Sequence, residues 1–330
     1  MLSQEPEEHL LSLLRLQKGY ISGKNLAKET GISTSGISKR IKILRKYGYN
    51  IESKHRMGYR LVGGTDLPLP WELAKVLQTL FVGKDKIIYR LTTHSTQNLA
   101  ILLAEKYPSL DGIVIIAEQQ KSGRGRENRR WLSPKGGIWL SVVLRPRISA
   151  SKITLFPFAA ALAVCDAIKK TTLLDAKLRW PNDVTINGKK VAGILIDTSM
   201  ERERINYAII GIGINANVDS SSISLGIEKG IKVTSLSDEL GHKTSILGLT
   251  KAILERLEYY YMELKHCVPH KIMDEWKKNS DILHQKVSVI QNNRTIQGIA
   301  ADLNDDGSLL VRINDCENIN LVASDIHVIY

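Results

Sequence analysis

Cysteine is scarce in this 330-residue chain: Cys165, Cys267 and Cys316 lie far apart, form no CxxC pair and leave an odd count. That pattern supports neither a disulfide framework nor a zinc site, and it fits a reducing compartment. Long apolar runs are missing too, since the longest, about 156–168, falls short of the ~20 residues that cross a bilayer. The opening MLSQEPEEHL is acidic and lacks the apolar core of a secretory signal, so a cytoplasmic protein with no membrane-spanning segment is expected. No internal repeat, no low-complexity tract and no GxxxxGK[ST] phosphate loop occurs. Acidic residues are in deficit, 34 against 46 Lys and Arg, and the net charge of +12 points to an anionic partner: nucleic acid, nucleotide or membrane surface. The remainder, 43% hydrophobic and 24% charged, is ordinary globular material, long enough for two or three domains.

Residues 22–47 read as two helices around a tight turn. Ser22 caps the first, Gly31 supplies the turn, and Ser33 or Thr34 caps the second. In the second helix Ile37, Ile41 and Leu44 share one face, which turns Ser35, Ser38, Lys39 and Lys42 outward. Two short strands, 51–55 and 59–62, joined across Arg56-Met57-Gly58, complete a winged helix-turn-helix. Residues 1–64 hold 12 Lys and Arg against 5 acids, or +7 of the +12, so the excess charge lies where DNA would bind. Thr34, Ser35, Ser38, Lys39, Lys42 and Arg56 are the expected DNA contacts. The alternative is a small helical protein-interaction module with a basic surface. Gly63-Gly64 and the prolines at 68 and 70 mark a linker, taken as 65–83.

The stretch QQKSGRGRENRRWLSPKGG, residues 119–137, is the least ordinary part of the chain. Apolar runs at 112–117 and 138–144 flank it, so it reads as a long loop between two buried strands, and such loops commonly carry function. Arg124, Arg126, Arg129 and Arg130 place four guanidinium groups within seven residues beside Gly123 and Gly125, which let backbone N–H groups approach a ligand. Phosphate or carboxylate is the natural guest. Trp131 adds a flat face for stacking, set among charges that alone would suit a solvated loop.

From Lys84 onward short apolar strands alternate with helices, for which a mixed sheet with helices on one face is the economical architecture. Three further polar clusters interrupt the apolar runs. Ser95-Thr96 stands where a strand enters a helix, RWPND (179–183) joins cation, aromatic, amide and carboxylate at a turn, and Lys189-Lys190 opens a strand. A fourth, GIGINA (211–216), matches the GxGxxG/A dinucleotide fingerprint. The fingerprint needs a helix immediately afterwards to meet a pyrophosphate, whereas Asn217-Val218-Asp219 and three serines follow, which argues against a Rossmann site.

GRGRENRRW, RWPNDV, KKVAGILID and GIGIN, in this order, resemble the biotin protein ligases and, with the winged helix, the bifunctional ligases that also repress the biotin operon. The resemblance spans nearly the whole chain. It implies an α+β fold: an N-terminal winged helix-turn-helix (1–64), a central biotin- and ATP-binding domain (84–279) and a C-terminal SH3-like β-barrel (280–330). The implied reaction joins biotin to ATP with Mg2+, releases pyrophosphate, and passes the acyl group from biotinyl-5′-AMP to a lysine of a biotin carboxyl carrier domain. The implied partners are that carrier, operator DNA and a second copy in a homodimer. Ser95, Thr96, Gln120, Gly123, Arg124, Gly125, Arg126 and Lys190 are the implied biotin contacts, and Arg126, Arg129, Trp131, Asn182 and Asn215 the implied nucleotide contacts. Lys190, Arg126 and Asp183 are the implied catalytic groups, Asp183 orienting or deprotonating the acceptor lysine. No protein-held metal site is expected.

Two departures from the family pattern stand out. Asn128 replaces the third glycine of GRGRxGR, and asparagine is expected to keep a left-handed turn there. Arg179 replaces the lysine of KWPND; charge is kept, but a guanidinium is wider and cannot donate a proton near neutral pH, which argues against a catalytic role at that position. The rival readings are a lipoate-type ligase, whose signature is missing, and a non-catalytic DNA-binding sensor, for which Lys190 and Asp183 would be superfluous.

Overall fold

The computed structural model describes residues 6–202, 204–224, 232–266, 269–291, 294–314, 317–322 and 327–329. Contacts divide the chain into a unit ending at Glu72 and one starting at Leu73. The first unit holds α1 (Pro6–Leu16), α2 (Gly23–Thr30), α3 (Thr34–Lys46) and a hairpin of β1 (Asn50–Lys54) and β2 (Gly58–Gly63). Its caps are those legible in sequence: Ser22 Oγ accepts the Asn25 N–H, Ser33 Oγ accepts the Gly36 N–H, and Gly31 is left-handed at φ 68°. Ile37, Ile41 and Leu44 are buried, together with Leu10, Leu11 and Leu14 of α1. That leaves Thr34, Ser35, Lys39, Lys42 and, at the wing tip, Arg56 exposed, with Ser38 half-buried. The six expected DNA contacts therefore lie on α3 and the wing of a winged helix-turn-helix.

After α4 (Pro70–Val76) the chain builds a seven-stranded mixed sheet from β3 (Ile87–Arg90), β4 (Ile113–Ala117), β7 (Ile138–Leu144), β8 (Lys177–Arg179), β9 (Asp183–Ile186), β10 (Lys189–Glu201) and β11 (Arg204–Ile214), in the order β3-β4-β7-β11-β10-β9-β8. Only the β3–β4 pair is parallel. Helix α5 (Thr96–Lys106) packs Ala100 and Ala104 onto Ile113, Ile115, Val143 and Ile209. Helix α6 (Phe156–Thr172) is apolar nearly all round and correspondingly buried, and α9 (Ile246–His266) packs along it.

The stretch read as a loop is itself paired. β5 (Gln120–Arg124) and β6 (Arg130–Ser133) form a two-stranded hairpin closed by a single helical turn at Arg126–Asn128. Ladder bonds to the segment before α5, Lys121 N–H to Thr93 O at 2.9 Å and Ser122 N–H to His94 O at 2.8 Å, set the hairpin beside the start of that helix. The left-handed residue of its turn is Glu127 (φ 54°), so the conformation expected at Asn128 falls one residue earlier.

Past α7 (Ser220–Ser224), α8 (Leu236–Leu240) and α10 (Pro269–Asn279), five antiparallel strands end the chain: β12 (Lys286–Gln291), β13 (Arg294–Leu303), β14 (Leu309–Asn314), β15 (Glu317–Leu321) and β16 (His327–Ile329), in the order β15-β14-β13-β12-β16. This is the small C-terminal β-domain expected from the sequence, although no bond closes it into a barrel among the described residues. None of the described helices is long and apolar enough to cross a membrane.

Candidate active site

Two glycines make the floor. In the β10–β11 ladder Gly193 stands directly opposite Gly213, and a Cβ on either would meet the Trp131 indole, at 3.0 Å from Cζ3 and 2.6 Å from Nε1 respectively. The indole thus lies on bare sheet backbone, with its own Nε1 buried and unpartnered among the described residues. Lys190 Nζ sits 5.1 Å from the ring centroid, near enough for a cation–π contact, and 2.7 Å from Asp183 Oδ1. The Lys190–Asp183 contact is ionic, its approach lying outside hydrogen-bond angles. Both side chains are about one-fifth exposed, so the pair is shielded from solvent and still reachable by a substrate.

Asp183 opens β9, opposite Arg179 across the turn. Its neighbour Asn182 is fixed by Nδ2 donating to Ile194 O at 2.6 Å, which aims Oδ1 at Arg126 Nη1, 3.3 Å away. On the other hairpin strand Arg124 donates to Asn98 Oδ1 at 2.8 Å and pairs with Asp197 at 3.6 Å, while Arg129 pairs with Glu127 at 2.7 Å. Internal acceptors therefore relieve the mutual repulsion of these three guanidinium groups. Asn215, 1% exposed, donates through Nδ2 to Thr234 O at 3.0 Å and leaves Oδ1 buried without a partner among the described residues.

A buried polar chain runs beside the floor. Ser95 caps α5; Thr96 N–H and Oγ1 both donate to Gln120 Oε1, at 2.7 and 3.1 Å; Gln120 Nε2 donates to Ser133 Oγ at 2.9 Å. Ser141, the lone hydroxyl in β7, reaches Thr96 Oγ1 and Gln97 Oε1, both at 2.9 Å. Gly123 admits this packing, since a Cβ there would stand 2.6 Å from Ser133 Oγ. Gln120 and Ser133, with Gln119, Leu132, Pro134 and Ile223, line a cleft of about 380 Å³, the size of a small-molecule site.

Residues 88–215 match the Biotin/lipoate A/B protein ligase family, and residues 7–60 match an HTH domain. The bifunctional ligase/repressor BirA of Bacillus subtilis is 34% identical over 299 residues, covering 90% of both chains. The chain belongs to the bifunctional biotin ligase/repressor family. The BirA of Escherichia coli is 25% identical over 295 residues, 88% of each chain. In fold, the chain is similar to the biotin protein ligase from Aquifex aeolicus solved with biotin and ATP, with a TM-score of 0.61 at 23% identity over 74% of this chain and 98% of that one.

Within this family fold, the four sequence motifs converge on the Trp131 floor, with Gly125 at the hairpin turn, where its N–H donates to Arg129 O at 2.8 Å. Two motif residues face elsewhere. Arg179 holds Asp281 through two bonds, Nη2 to Oδ2 at 2.6 Å and Nε to Oδ1 at 3.3 Å, and Trp180 is buried with Nε1 donating to Gly307 O at 3.0 Å. The planar guanidinium matches a carboxylate in a way that a lysine cannot, which accounts for arginine at this position. In GIGINA the glycines serve close packing, Gly211 against Gln97 and Gly213 against Trp131, and only the five-residue α7 follows.

Sequence reasoning missed Ser133, Ser141, Asn98, Asp197 and the segment around Thr234. Ser141 carried a signal, a lone hydroxyl inside an apolar strand, but the others had none. Burial pushes the Cys165 thiol up to about 12, which makes it inert; Cys267 and Cys316 lie outside the described residues.

Proposed function

We propose that the Trp131 floor binds ATP beside a biotin seat at Ser95, Thr96 and Gln120, and that the chain activates biotin there as biotinyl-5′-AMP before passing it to a carrier-domain lysine. The convergence of Lys190, Asp183, Arg126 and Asn182 around one indole carries this reading. In the first step the biotin carboxylate attacks the α-phosphorus of ATP, and two anions meet only where cations offset their repulsion. Lys190, Arg124 and Arg126 supply that charge. Arg129 and Trp131 cover the nucleotide, while Gly123 and Gly125 keep the hairpin backbone close to the ligand. In the second step Asp183 receives the acceptor ammonium, whose ordinary pKa of about 10.4 keeps it protonated, and orients or deprotonates it.

Magnesium, when bound with ATP, neutralises phosphate charge. Asn215 Oδ1, buried without a partner among the described residues, would be the hard oxygen offered to it. A single such oxygen suits an ion that keeps most of its ligands from phosphate and water, rather than a protein-built cage. Among the described residues, three or more His, Cys, Asp and Glu side chains nowhere gather.

The same reading assigns residues 1–64 to operator DNA, 65–83 to a linker, 84–279 to catalysis and 280–330 to the C-terminal domain, in a cytoplasmic protein that dimerises. Two winged helices at fixed spacing gain from effective concentration on a palindromic operator, so ligand-linked dimerisation would tighten binding. Incubation with ATP, radiolabelled biotin and a carrier domain tests the enzyme: label on the carrier supports it, lipoate-only transfer favours the lipoate-type ligase, and no transfer leaves a sensor. Operator titrations at constant salt without ligand, with biotin and with biotinyl-AMP, alongside sedimentation, test the switch; three identical curves would remove it.

A further inference from the structure

Lys190 occupies an awkward place in its strand. The β9–β10 register slips between Lys190 and Ala192, and β11 pairs with β10 only from Ala192 onward, so the sheet leaves one edge of the Lys190 backbone unpaired. A strap at residues 232–236 takes that edge: Lys190 N–H donates to Lys232 O at 2.8 Å, and Thr234 N–H donates to Lys190 O at 2.9 Å. The same strap holds Asn215, whose Nδ2 donates to Thr234 O at 3.0 Å and whose carbonyl accepts the Leu236 N–H at 2.8 Å. Thr234 is thus the joint between two motifs that lie 25 residues apart in sequence.

Glu239, on α8, locks this joint. Its carboxylate accepts Thr234 Oγ1 at 2.6 Å, Lys189 Nζ at 3.0 Å and Asn187 Nδ2 at 2.8 Å. Asn187 and Gly188, left-handed at φ 51° and 72°, form the tight turn joining β9 to β10. One side chain therefore ties the hairpin tip, the residue before Lys190 and the strap that grips Lys190. With its side chain only 9% exposed, the carboxylate holds these bonds out of reach of competing water. Burial raises its pKa, but the bonds from Thr234, Lys189 and Asn187 outweigh burial and hold it below the ordinary carboxylate value.

We infer that Glu239 is a positioning residue: through Thr234 and the 232–236 strap it fixes the Lys190 backbone, and so the ammonium, at the phosphate position of the ligase site. The inference rests on the adenylating role of Lys190 proposed above. A positioning group differs from a fold-stabilising one in what its loss changes. A misplacement of about 1 Å in a catalytic group costs up to ~10²-fold in rate. An interaction realised mainly in the transition state lowers kcat while leaving KM near its original value.

The test measures pyrophosphate release and thermal melting on the full chain for wild type, Glu239→Gln, Thr234→Val, their double variant and Lys190→Ala. Each single clasp variant should lower kcat about tenfold, with KM for ATP and biotin unchanged to within about twofold. The double variant should be no worse than the weaker single, because both remove one shared bond. Thr234→Val keeps the backbone bonds of the strap and loses only the hydroxyl, so it reports on the clasp even where Glu239→Gln folds poorly. Wild-type kcat in both singles, a loss confined to KM, or multiplicative loss in the double would each overturn the inference. If Lys190→Ala collapses adenylation while the clasp variants do not, positioning fails and the ligase reading stands. Normal adenylation by Lys190→Ala would overturn both.

Discussion

Gly213→Ala is the most direct test of the Trp131 floor. The added Cβ would lie 2.6 Å from Trp131 Nε1 and 2.7 Å from Cε2, against an optimal carbon contact of about 3.5–4.0 Å, so the indole must lift by roughly 1 Å. Neither strand gives way easily, because β11 is paired on both sides, to β7 and to β10. Overpacking of this kind costs about 1–3 kcal/mol, and the lifted ring also loses its approach to Lys190, worth another ~0.5–1 kcal/mol. The catalytic effect should be larger than the stability effect, since a ~1 Å shift at a substrate-positioning surface costs up to about 10²-fold. The assay is pyrophosphate release from ATP and biotin, with melting monitored in parallel and Gly19→Ala, where nothing lies within 4 Å of the new Cβ, as control. A Gly213→Ala protein that retains wild-type adenylation would refute the idea that the glycine pair exists to seat the indole.

Three further expectations follow from the same geometry. Arg179→Lys keeps the charge but breaks the two-point contact with Asp281, so stability measured by denaturant should fall by ~1.5–3 kcal/mol while adenylation stays within about twofold; a catalytic loss without destabilisation would return the residue to the site. Lys39→Ala or Lys42→Ala on the exposed face of α3 should weaken operator binding and lower the slope of log K against log salt by about one each, and an unchanged slope would move that lysine off the DNA. Because the folded pKa of Glu239 is depressed, its contribution to stability is complete above the ordinary glutamate value of about 4.3 and is lost as pH falls through the folded value. The melting-temperature gap between wild type and Glu239→Gln should accordingly hold steady from neutral pH down to about 5 and narrow once the pH falls below the ordinary glutamate value of about 4.3; a gap that persists in strong acid would contradict the hydrogen-bond account.

What the sequence disclosed, and what it withheld, follows from the range of the interactions. The caps at Ser22 and Ser33, the apolar face of α3, the wing and the apolar strands all depend on neighbours within a few residues, and the bounds expected for the wing and for the two strands flanking the arginine stretch agree with the structure to within one position. The four motifs were legible by type and order. The β5–β6 hairpin was not, because QKSGR has no alternation to announce a strand, and its other edge is held by the backbone of Thr93 and His94, some 28 residues earlier. The turn at Glu127 was misplaced by one residue for a similar reason: side-chain preference favours Asn128, but closure of the turn by Arg129 N–H to Arg126 O puts the strain at Glu127. Helix α1 was not expected from the sequence, although Leu10, Leu11 and Leu14 stand at helical spacing on its buried face. Glu239 and Thr234 gave no signal at all, for their meaning lies in partners about 40–50 residues away.

The seam between RWPND and the C-terminal sheet has a consequence for how the enzyme is made. Asp281 holds Arg179 and also accepts Thr185 Oγ1, its N–H donates to Leu178 O, and Gly307 O receives the Trp180 indole. These partners emerge from the ribosome about a hundred residues after the turn they secure. Until they arrive, the turn that carries Asn182 and Asp183 is without Asp281 and Gly307, although Arg179 can still donate to Gly188 O, at 3.2 Å. A nascent chain therefore carries all four motifs before the seam that buttresses their turn exists, and that buttress is completed only by about the last fifty residues of the chain.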